Sequence, residues 1–426
     1  MCMDVQPNPA DPPKWVANGT SFRYLPIGMR DRATRGVALA HDYLLVLRGA
    51  ERVFDAMASC WPDAPISTLL YDEEATGGRF SGHQIHTSYL QRLGVRQHGF
   101  RRLMPFYPRA VEKLHVPDAE VVVSSSSAFA HGLQPPGDAA HICYCHSPFR
   151  YVWHERQRAI DEMPGWAGGW GERLLDRVRD WDRHASARVT HYISNSELTR
   201  QRVGEFYGRD SSVIHPPVAV DRFTPSTDHD DYFLVVCELV RHKNVYVALA
   251  AAEQAGVPIK VVGTGPDEYW LRRDYPNAEF LGRVSDEELA RVYERARAFV
   301  MPAIEEFGIV AAEAHAAGRP VLAAGAGGAL EIVREGQTGV FAEPHNVDAF
   351  AEAMREVDWD AFDPHVIRAR AEDFSVPTFQ LRLREEIDRV MGDNVAPLPG
   401  TAEPLAAQAV GSSSSFPDVR RSASAR

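Results

Sequence analysis

Two glutamates, Glu305 and Glu313, stand eight positions apart in the stretch EEFGIVAAEAHAAGRPVLAAGAGG. Between them, Gly308 allows the backbone to approach a ligand closely, and a helix is expected to begin near Ile309. The free amides and the positive dipole end of that helix start would bind an anion. The carboxylates would accept hydrogen bonds from the hydroxyls of a ribose or a hexose. The alternative is that Glu305 and Glu306 are solvated and that Glu313 pairs with an arginine.

Alternating strands and helices are predicted to position these residues. Short apolar, β-branched runs are separated by segments of helix length, which indicates parallel sheets covered on both faces. The predicted strands are 36–40, 120–124, 141–145, 190–194, 232–237, 259–263, 279–282, 298–302 and 320–324. Ligands of such sheets bind outside the carboxyl ends of the strands. The loops that should line one crevice are 237–243, 263–266, 282–285, 302–308 and 325–328.

The pattern divides the chain into two doubly wound α/β domains. A proline-containing stretch of low periodicity at 215–231 is predicted to link an N-terminal domain at 34–214 to a C-terminal domain at 232–375. A helix is expected over 376–392, and packing back on the N-terminal domain is one option for it. Composition predicts a flexible leader at 1–33 and a disordered tail at 393–426.

Composition argues against several classes of protein. The 426 residues are 45% hydrophobic and 24% charged, as is typical of a globular protein. The net charge of −12 argues against nucleic-acid binding. No apolar run reaches the ~18 residues of a membrane span, and the N-terminus lacks the features of a secretory signal. Five cysteines in a chain of this length favour a reducing cytoplasm.

The stretch 305–331 resembles the signature of the retaining glycosyltransferases of the GT-B fold, family 4. The residues that carry the resemblance are Glu305, Phe307, Gly308, Glu313, Gly318, Pro320, Val321, Gly327, Gly328 and Glu331. The resemblance implies a GT-B fold, with two Rossmann-like domains and an interdomain cleft. It implies that Glu305 approaches the sugar of a nucleotide-sugar donor and that Glu313 holds the ribose. The amides expected to meet sugar and diphosphate belong to Phe307, Gly308, Ile309 and Val310.

The resemblance implies further donor-binding residues in the C-terminal domain. Gly263 and Gly265 belong to a matching loop, VGTGPDE, and Arg283 and Val284 belong to a second one, FLGRVSDEEL, which is expected beside the base. Lys243 matches a lysine that is expected on the diphosphate.

The stretch VVCELVRHKN departs from the family pattern. Glu238 stands where the family commonly has an arginine. This puts the neutralisation of the leaving diphosphate in doubt. Arg241 is a candidate substitute, and a solvated surface charge is the other interpretation of that residue.

In the N-terminal half, the resemblance implies two site residues. Gly49, at the start of a predicted helix, would touch the diphosphate, and His146, at the carboxyl end of a predicted strand, would face the sugar. His146, Glu305 and Lys243 are therefore the predicted catalytic residues.

Within the family, the chain most resembles the mannosyltransferases that build O-antigen and exopolysaccharide units. This implies a retaining, metal-independent hexosyltransferase that needs no cofactor besides the nucleotide sugar, which is a co-substrate. The expected donor is GDP-mannose, with UDP-glucose or a deoxysugar nucleotide as alternatives, and the expected acceptor is a saccharide or a lipid-linked sugar. A nucleotide-sugar epimerase and a catalytically impaired nucleotide-sugar-binding protein are the remaining alternatives.

Two groups of residues have side chains that could bind a metal, but their arrangement argues against a metal site. Cys143 and Cys145 share one face of a predicted strand, whereas His146 points to the other face. The Asp-x-Asp patterns at 180–182, 228–230 and 358–360 do not end a predicted strand. No metal site is expected.

The segment 91–114 is basic although the protein as a whole is acidic. It contains six Lys or Arg residues and one acid, interleaved with apolar and aromatic residues. One prediction is a short amphipathic element that binds an anionic membrane surface, which would place a cytoplasmic protein on the inner face of the membrane. The other is a solvated basic face whose aromatics belong to the core.

Overall fold

Two α/β domains, each built on one parallel sheet, make up the protein in the computed structural model, which describes residues 36–97, 99–161, 163 and 168–392. Apolar side chains form four large clusters, two for each sheet. The predicted fold class of two doubly wound domains is confirmed. The predicted leader at 1–33 and tail at 393–426 lie outside the described residues.

The N-terminal domain has seven strands in its described part, in the order β3-β2-β1-β4-β5-β6-β7, and all neighbouring pairs are parallel. The strands are β1 (Val37–His41), β2 (Ile66–Thr68), β3 (Ile85–Thr87), β4 (Val121–Ser126), β5 (Ala140–Cys145), β6 (His191–Ser194) and β7 (Ser211–Val213). The helices are α1 (Gly49–Ala58), α2 (Tyr107–Glu112), α3 (Arg156–Asp161), α4 (Gly168–Ser186) and α5 (Glu197–Tyr207).

The C-terminal domain, which is fully described, has a six-stranded parallel sheet in the order β10-β9-β8-β11-β12-β13. The strands are β8 (Phe233–Val236), β9 (Ile259–Val262), β10 (Glu279–Gly282), β11 (Ala298–Met301), β12 (Val321–Ala324) and β13 (Gly339–Ala342). The helices are α6 (Val245–Ala255), α7 (Glu268–Asp274), α8 (Asp286–Arg295), α9 (Ile309–Ala316), α10 (Ala329–Ile332), α11 (Val347–Glu356) and α12 (Pro364–Glu372). A last helix, α13 (Val376–Gly392), follows them.

Each predicted strand is present within two residues of its predicted ends. Sequence analysis missed β2, β3, β7 and β13, which have three, three, three and four residues. Strands of three residues do not produce the continuous apolar run on which the other predictions rest. Strand β13 has the sequence GVFA and begins with a glycine, a residue type that is depleted in strands.

The sheet topology determines where a ligand can bind. The strand order reverses between β1 and β4 in the first sheet and between β8 and β11 in the second. In open α/β sheets, ligands bind at such reversal points, outside the carboxyl ends of the strands. Helix α1 follows β1 and helix α9 follows β11, so both helices begin near a reversal point.

The chain crosses between the domains twice. The segment predicted as linker, 215–231, runs from β7 to β8, and the amide of Val218 donates to the carbonyl of Phe374 at 2.8 Å. Helix α13 then returns to the N-terminal domain, where its Gln380 Nε2 donates to the carbonyl of Ala56 at 3.0 Å. The α13 side chains buried in the core of the first sheet are Phe379, Leu383, Ile387 and Val390.

Replacing Leu383 by alanine should lower the free energy of unfolding by about 2–5 kcal/mol, because truncation of a fully buried leucine leaves a cavity. Leu381 lies on the same helix with 57% of its surface exposed. Leu381→Ala should therefore change this free energy by less than about 0.5 kcal/mol. Urea unfolding followed by tryptophan fluorescence measures both variants. Equal and small effects would contradict the contribution of α13 to the N-terminal core.

Candidate active site

A cavity of about 820 Å³ lies between the two domains. The N-terminal domain contributes α1 and the loop before it, and the C-terminal domain contributes the loops after β8, β9 and β10 together with the start of α9. The sequence-predicted site residues that line it are Gly49, Gly263, Arg283, Val284, Ile309, Val310 and Glu313. The fold therefore gathers residues from both halves of the chain at one place.

Helices α1 and α9 both begin at this cavity. Gly308 precedes α9 with φ at 97°, in the left-handed region, and a Cβ there would come within 2.9 Å of the Met301 sulfur. Gly49 is the first residue of α1, and a Cβ built on it would lie 3.8 Å from the Ile309 side chain. The amino ends of the two helices thus lie close together at the cavity, and the free amides and dipoles of both favour an anion there.

Glu313 lines the cavity from one turn inside α9. The neighbouring alanines of this helix are fully buried, so the helix packs closely on the sheet. The Tyr293 hydroxyl donates to Glu313 Oε2 at 3.3 Å. Burial raises the pKa of Glu313, although the charges of Arg222 and Arg52 act in the opposite direction. The carboxylate has further acceptor sites, which suit the hydroxyls of a ligand.

Lys243 and Glu305 form an ion pair next to the cavity. The Lys243 ammonium lies 2.5 and 2.7 Å from the two carboxylate oxygens. The thiol of Cys237, which lines the cavity, lies close enough to feel both charges: burial raises its pKa, Lys243 lowers it and Glu305 raises it. Burial alone would lower the pKa of Lys243, but the Glu305 carboxylate more than offsets this, so the pKa is raised. Lys243 is therefore a cation at physiological pH.

His146 follows β5 in the N-terminal domain. Its Nε2 lies 2.8 Å from the Ser125 hydroxyl, which lies 3.1 Å from His41 Nδ1. Burial, with a smaller contribution from the nearby His41, lowers the pKa of His146 to about 3, although Asp42 and Glu306 act in the opposite direction. The imidazole is therefore neutral at physiological pH and can act as a hydrogen-bonding group.

Two family models match adjacent parts of the chain. The model described as Glycosyl transferases group 1 matches residues 220–372, and the model described as Glycosyltransferase Family 4 matches residues 47–222. Together they extend over both domains and the cavity between them. The chain belongs to the group 1, family 4 glycosyltransferases.

Curated relatives match this glycosyltransferase over part of its length. Glycogen synthase of Mycobacterium tuberculosis is 31% identical over 229 residues, which cover 49% of this chain and 53% of the relative. A GDP-mannose-dependent phosphatidylinositol monomannoside mannosyltransferase of Corynebacterium glutamicum is 31% identical over 233 residues, which cover 47% of this chain and 60% of the relative. The chain thus spans about half the length of these relatives.

Solved structures share the fold of this glycosyltransferase at low sequence identity. The Anabaena protein HepE, solved in complex with UDP, is 16% identical with a TM-score of 0.62, covering 83% of this chain and 100% of HepE. Sucrose-phosphate synthase from Thermosynechococcus elongatus is 15% identical with a TM-score of 0.64, covering 84% of this chain and 100% of the synthase. The predicted GT-B fold is confirmed.

Four of the residues that the sequence predicted for donor binding lie outside the cavity lining: Arg241, Gly265, Phe307 and Gly308. The predicted catalytic residues His146, Lys243 and Glu305 do not line it either. Arg241 is exposed and lines a separate hollow of about 170 Å³ beside α7. A Cβ on Gly265 would lie 2.2 Å from the Leu239 carbonyl oxygen, so Gly265 allows two loops to pack together. The Phe307 ring is buried and stacks on His215, with the ring centroids 5.3 Å apart.

The residues considered for a metal site separate in the fold. Cys143 and Cys145 pack in an apolar cluster with Tyr192 and Val203. His146 instead bonds to the Ser125 hydroxyl. These three side chains therefore do not converge on one point.

Glu306 joins the two domains, and sequence analysis gave it no role. Its Oε1 accepts a hydrogen bond from Arg202 Nη1 at 3.0 Å and lies 3.7 Å from His154 Nε2. Burial alone would raise the pKa of Glu306, but His154 and the charges of Arg150 and Arg202 hold it well below its usual range. A buried, charged carboxylate between three N-terminal groups fixes the loop that carries Glu305.

Glu331 makes a second contact between the domains. Its carboxylate accepts the amide of Glu197, the first residue of α5, at 2.9 and 3.0 Å. His215 Nε2 lies 2.7 Å from the same group. Glu331 was among the residues that carry the family resemblance. The partners of Glu331 are more than 100 positions away in the chain, so no local signal could identify them.

His146→Gln should change how stability depends on pH. The folded imidazole is deprotonated down to about pH 3, whereas the unfolded one takes up a proton near pH 6.5. Its stabilising contribution is therefore present above pH 6.5 and is lost as the pH falls toward 3. Urea unfolding should show that the variant lowers the slope of the unfolding free energy by about 1.4 kcal/mol per pH unit between roughly pH 4 and 6. If the unfolding free energy of the variant depends on pH with the same slope as that of the wild type, His146 is not held neutral in the folded protein.

Proposed function

We propose that this glycosyltransferase moves a hexose from a nucleotide sugar to a saccharide or lipid-linked acceptor, with retention of anomeric configuration and without a metal. The observation that carries the proposal is the interdomain cavity, where two helix starts come together, with Glu313 in the cavity lining and the Lys243–Glu305 pair next to the cavity. The volume of about 820 Å³ lies in the range of roughly 300–1,000 Å³ that is usual for small-molecule sites.

The nucleotide half of the donor is assigned to the cavity. Arg283 and Val284 lie beside the base, and Glu313 accepts hydrogen bonds from the ribose hydroxyls. The diphosphate lies against the amides at the starts of α1 and α9. Fixed amides in a protein cleft stabilise developing charge without having to reorient, which makes them suited to a leaving diphosphate.

The sugar lies toward Glu305 and His146. The bond between the anomeric carbon and the β-phosphate oxygen breaks, and the acceptor oxygen bonds to that carbon from the same face. The acceptor proton passes to the departing phosphate oxygen, which balances the charge. Lys243 stabilises the departing diphosphate, and the neutral His146 orients sugar hydroxyls through hydrogen bonds.

GDP-mannose is the donor we favour, and the product is assigned to surface-polysaccharide synthesis. The resemblance to exopolysaccharide mannosyltransferases and the GDP-mannose-dependent relative support this choice. UDP-glucose is the second candidate, because HepE has been solved in complex with UDP-glucose. A thermal-shift screen of GDP-mannose, UDP-glucose and dTDP-deoxysugars, followed by transfer to a lipid-linked acceptor extract, tests the proposal.

The screen has distinct outcomes. Transfer that survives EDTA, with an α-linked product from an α-linked donor by NMR, would support the proposal. An isomerised donor would identify an epimerase, and binding without turnover would identify a nucleotide-sugar-binding protein. Transfer that is lost with EDTA and restored by Mg²⁺ would contradict the metal-independent mechanism.

Glu305→Gln and Glu313→Gln should differ in kinetics. Glu313→Gln should raise the dissociation constant of the donor by about 10-fold, because the ribose contact exists in ground and transition states alike. Glu305→Gln should lower kcat by about 100-fold, because its carboxylate lies at the reacting sugar. Glu352, which is exposed on α11, provides the matched control Glu352→Gln, which should leave both constants unchanged. Equal, small effects at 305 and 313 would exclude these two roles.

We assign the basic segment 91–114 to contact with an anionic membrane that carries the acceptor. Its described residues form short helical turns and α2. Phe100, Leu103 and Met104 pack on the core. The exposed residues include Arg92, Leu93, Arg101, Arg102, Phe106, Arg109 and Lys113. None of the helices within the described ranges has both the length and the apolar character needed to cross a bilayer.

Binding to vesicles should increase with the fraction of anionic lipid and decrease with salt, because exposed basic residues gain about 1 kcal/mol each near such a surface. The double variant Arg101→Glu/Arg102→Glu should weaken binding in a flotation assay. Arg272→Glu/Arg273→Glu alters an adjacent, exposed pair on α7 and serves as the matched control. Wild-type flotation that is independent of anionic lipid would exclude the membrane contact and favour a soluble acceptor.

A further inference from the structure

Arg48 and Glu238 form an ion pair that spans the interdomain cleft. Arg48 Nη1 lies 3.6 Å from Glu238 Oε2, and the two side chains are 52% and 53% exposed. Both residues line the cavity. Arg48 belongs to the N-terminal domain and Glu238 follows β8 in the C-terminal domain. Exposed pairs of this kind contribute little to stability, so a stronger anion can displace the carboxylate.

The position of Arg48 favours an anion. It immediately precedes α1, and its amide donates to Glu51 Oε2 at 3.0 Å, which fixes the backbone at the helix start. The first residue of that helix, Gly49, approaches Ile309 at the start of α9. The guanidinium therefore extends from the point where two positive helix ends lie close together.

Four other arginines line the cavity. One of them, Arg283, is assigned above to the base, and the other three lie beside carboxylates elsewhere. Arg52 and Arg222 both contact Asp286, at 3.2 and 3.3 Å, near the start of α8. Arg79 lies 3.6 Å from Asp55, which is further along α1. Among the described arginines of the cavity, Arg48 is the one that adjoins the helix start itself.

We propose that Arg48 binds the diphosphate of the nucleotide donor from the N-terminal domain, and that Glu238 pairs with its guanidinium while the site is empty. The inference rests on the proposed function. When the donor binds, phosphate oxygens replace the Glu238 carboxylate at the guanidinium, because bidentate arginine–phosphate contacts are stronger than an exposed pair at 3.6 Å. Glu238 then turns to solvent. The positive charge of Arg48 thus stabilises the leaving diphosphate from the N-terminal domain, while Lys243 does so from the C-terminal domain.

The alternative explanation is that the Arg48–Glu238 pair is a structural contact that holds the two domains together. The two roles differ in which ligands they affect. If the arginine binds the diphosphate, its removal reduces how much more tightly a nucleoside diphosphate binds than the corresponding monophosphate. A structural contact changes the binding of nucleosides, monophosphates and diphosphates alike.

The experiment is calorimetric titration of the full chain with uridine, UMP and UDP and with the guanosine and thymidine series. Arg48→Ala should lower the affinity for the diphosphate about 10-fold relative to the nucleoside, as expected for loss of a charged hydrogen bond. Arg48→Ala/Glu238→Arg, which returns a guanidinium from the opposite wall, should recover most of that loss. Glu238→Ala alone should raise diphosphate affinity, because the competing carboxylate is gone. Arg272→Ala removes an exposed arginine on α7 that pairs with Glu268, and it should bind as the wild type does.

Diphosphate affinity that is unchanged in Arg48→Ala would overturn the inference while leaving the proposed function intact. An equal loss for nucleoside and diphosphate would also overturn it and favour the structural contact. If the wild type binds none of UDP, GDP and dTDP, the proposed function fails together with the inference. Failure of Glu238→Arg to restore affinity in the Arg48→Ala background would contradict a role carried by the guanidinium charge.

Discussion

The approach of two helix amino ends, those of α1 and α9, is the constraint on which the cleft depends. A Cβ on Gly49 would already be in contact with the Ile309 side chain, so no bulky residue separates them. Each end carries a positive partial charge and unpaired amides. The two parallel sheets impose this arrangement, because each helix follows a strand at a point where strand order reverses. In the proposed function, the diphosphate of the donor supplies the negative charge that the arrangement lacks.

Charged groups of the cleft are paired within the protein. Lys243 contacts Glu305, Arg48 contacts Glu238, and Arg202 contacts Glu306. The pairs differ in strength because they differ in exposure. The Glu306 carboxylate is buried among N-terminal groups and its low pKa keeps it charged, so it fixes the domains. The Arg48–Glu238 pair is half exposed and can exchange partners, which is the property that a substrate-binding group needs.

Local patterns in the sequence were sufficient for the central strands and for α9, because buried β-branched runs and a glycine before an alanine-rich helix are signals within a short window. Glu313, to which the local pattern pointed, and Gly49, to which the family resemblance pointed, both line the cavity. The edge strand β7 was missed because three residues give no periodicity. Arg241 was a candidate at the donor because it could substitute for the arginine whose place Glu238 takes, but it lies beside α7. The contacts of Arg48 and Glu306 join residues more than 100 positions apart, which no local pattern reports.

A crystal structure with UDP or GDP bound measures most directly whether the cleft is a nucleotide-sugar site. The diphosphate should contact the backbone amides at the starts of α1 and α9, and the ribose hydroxyls should lie within about 3.2 Å of the Glu313 carboxylate. A nucleotide bound outside the cavity would contradict the proposed donor site. So would a diphosphate directed away from the two helix starts.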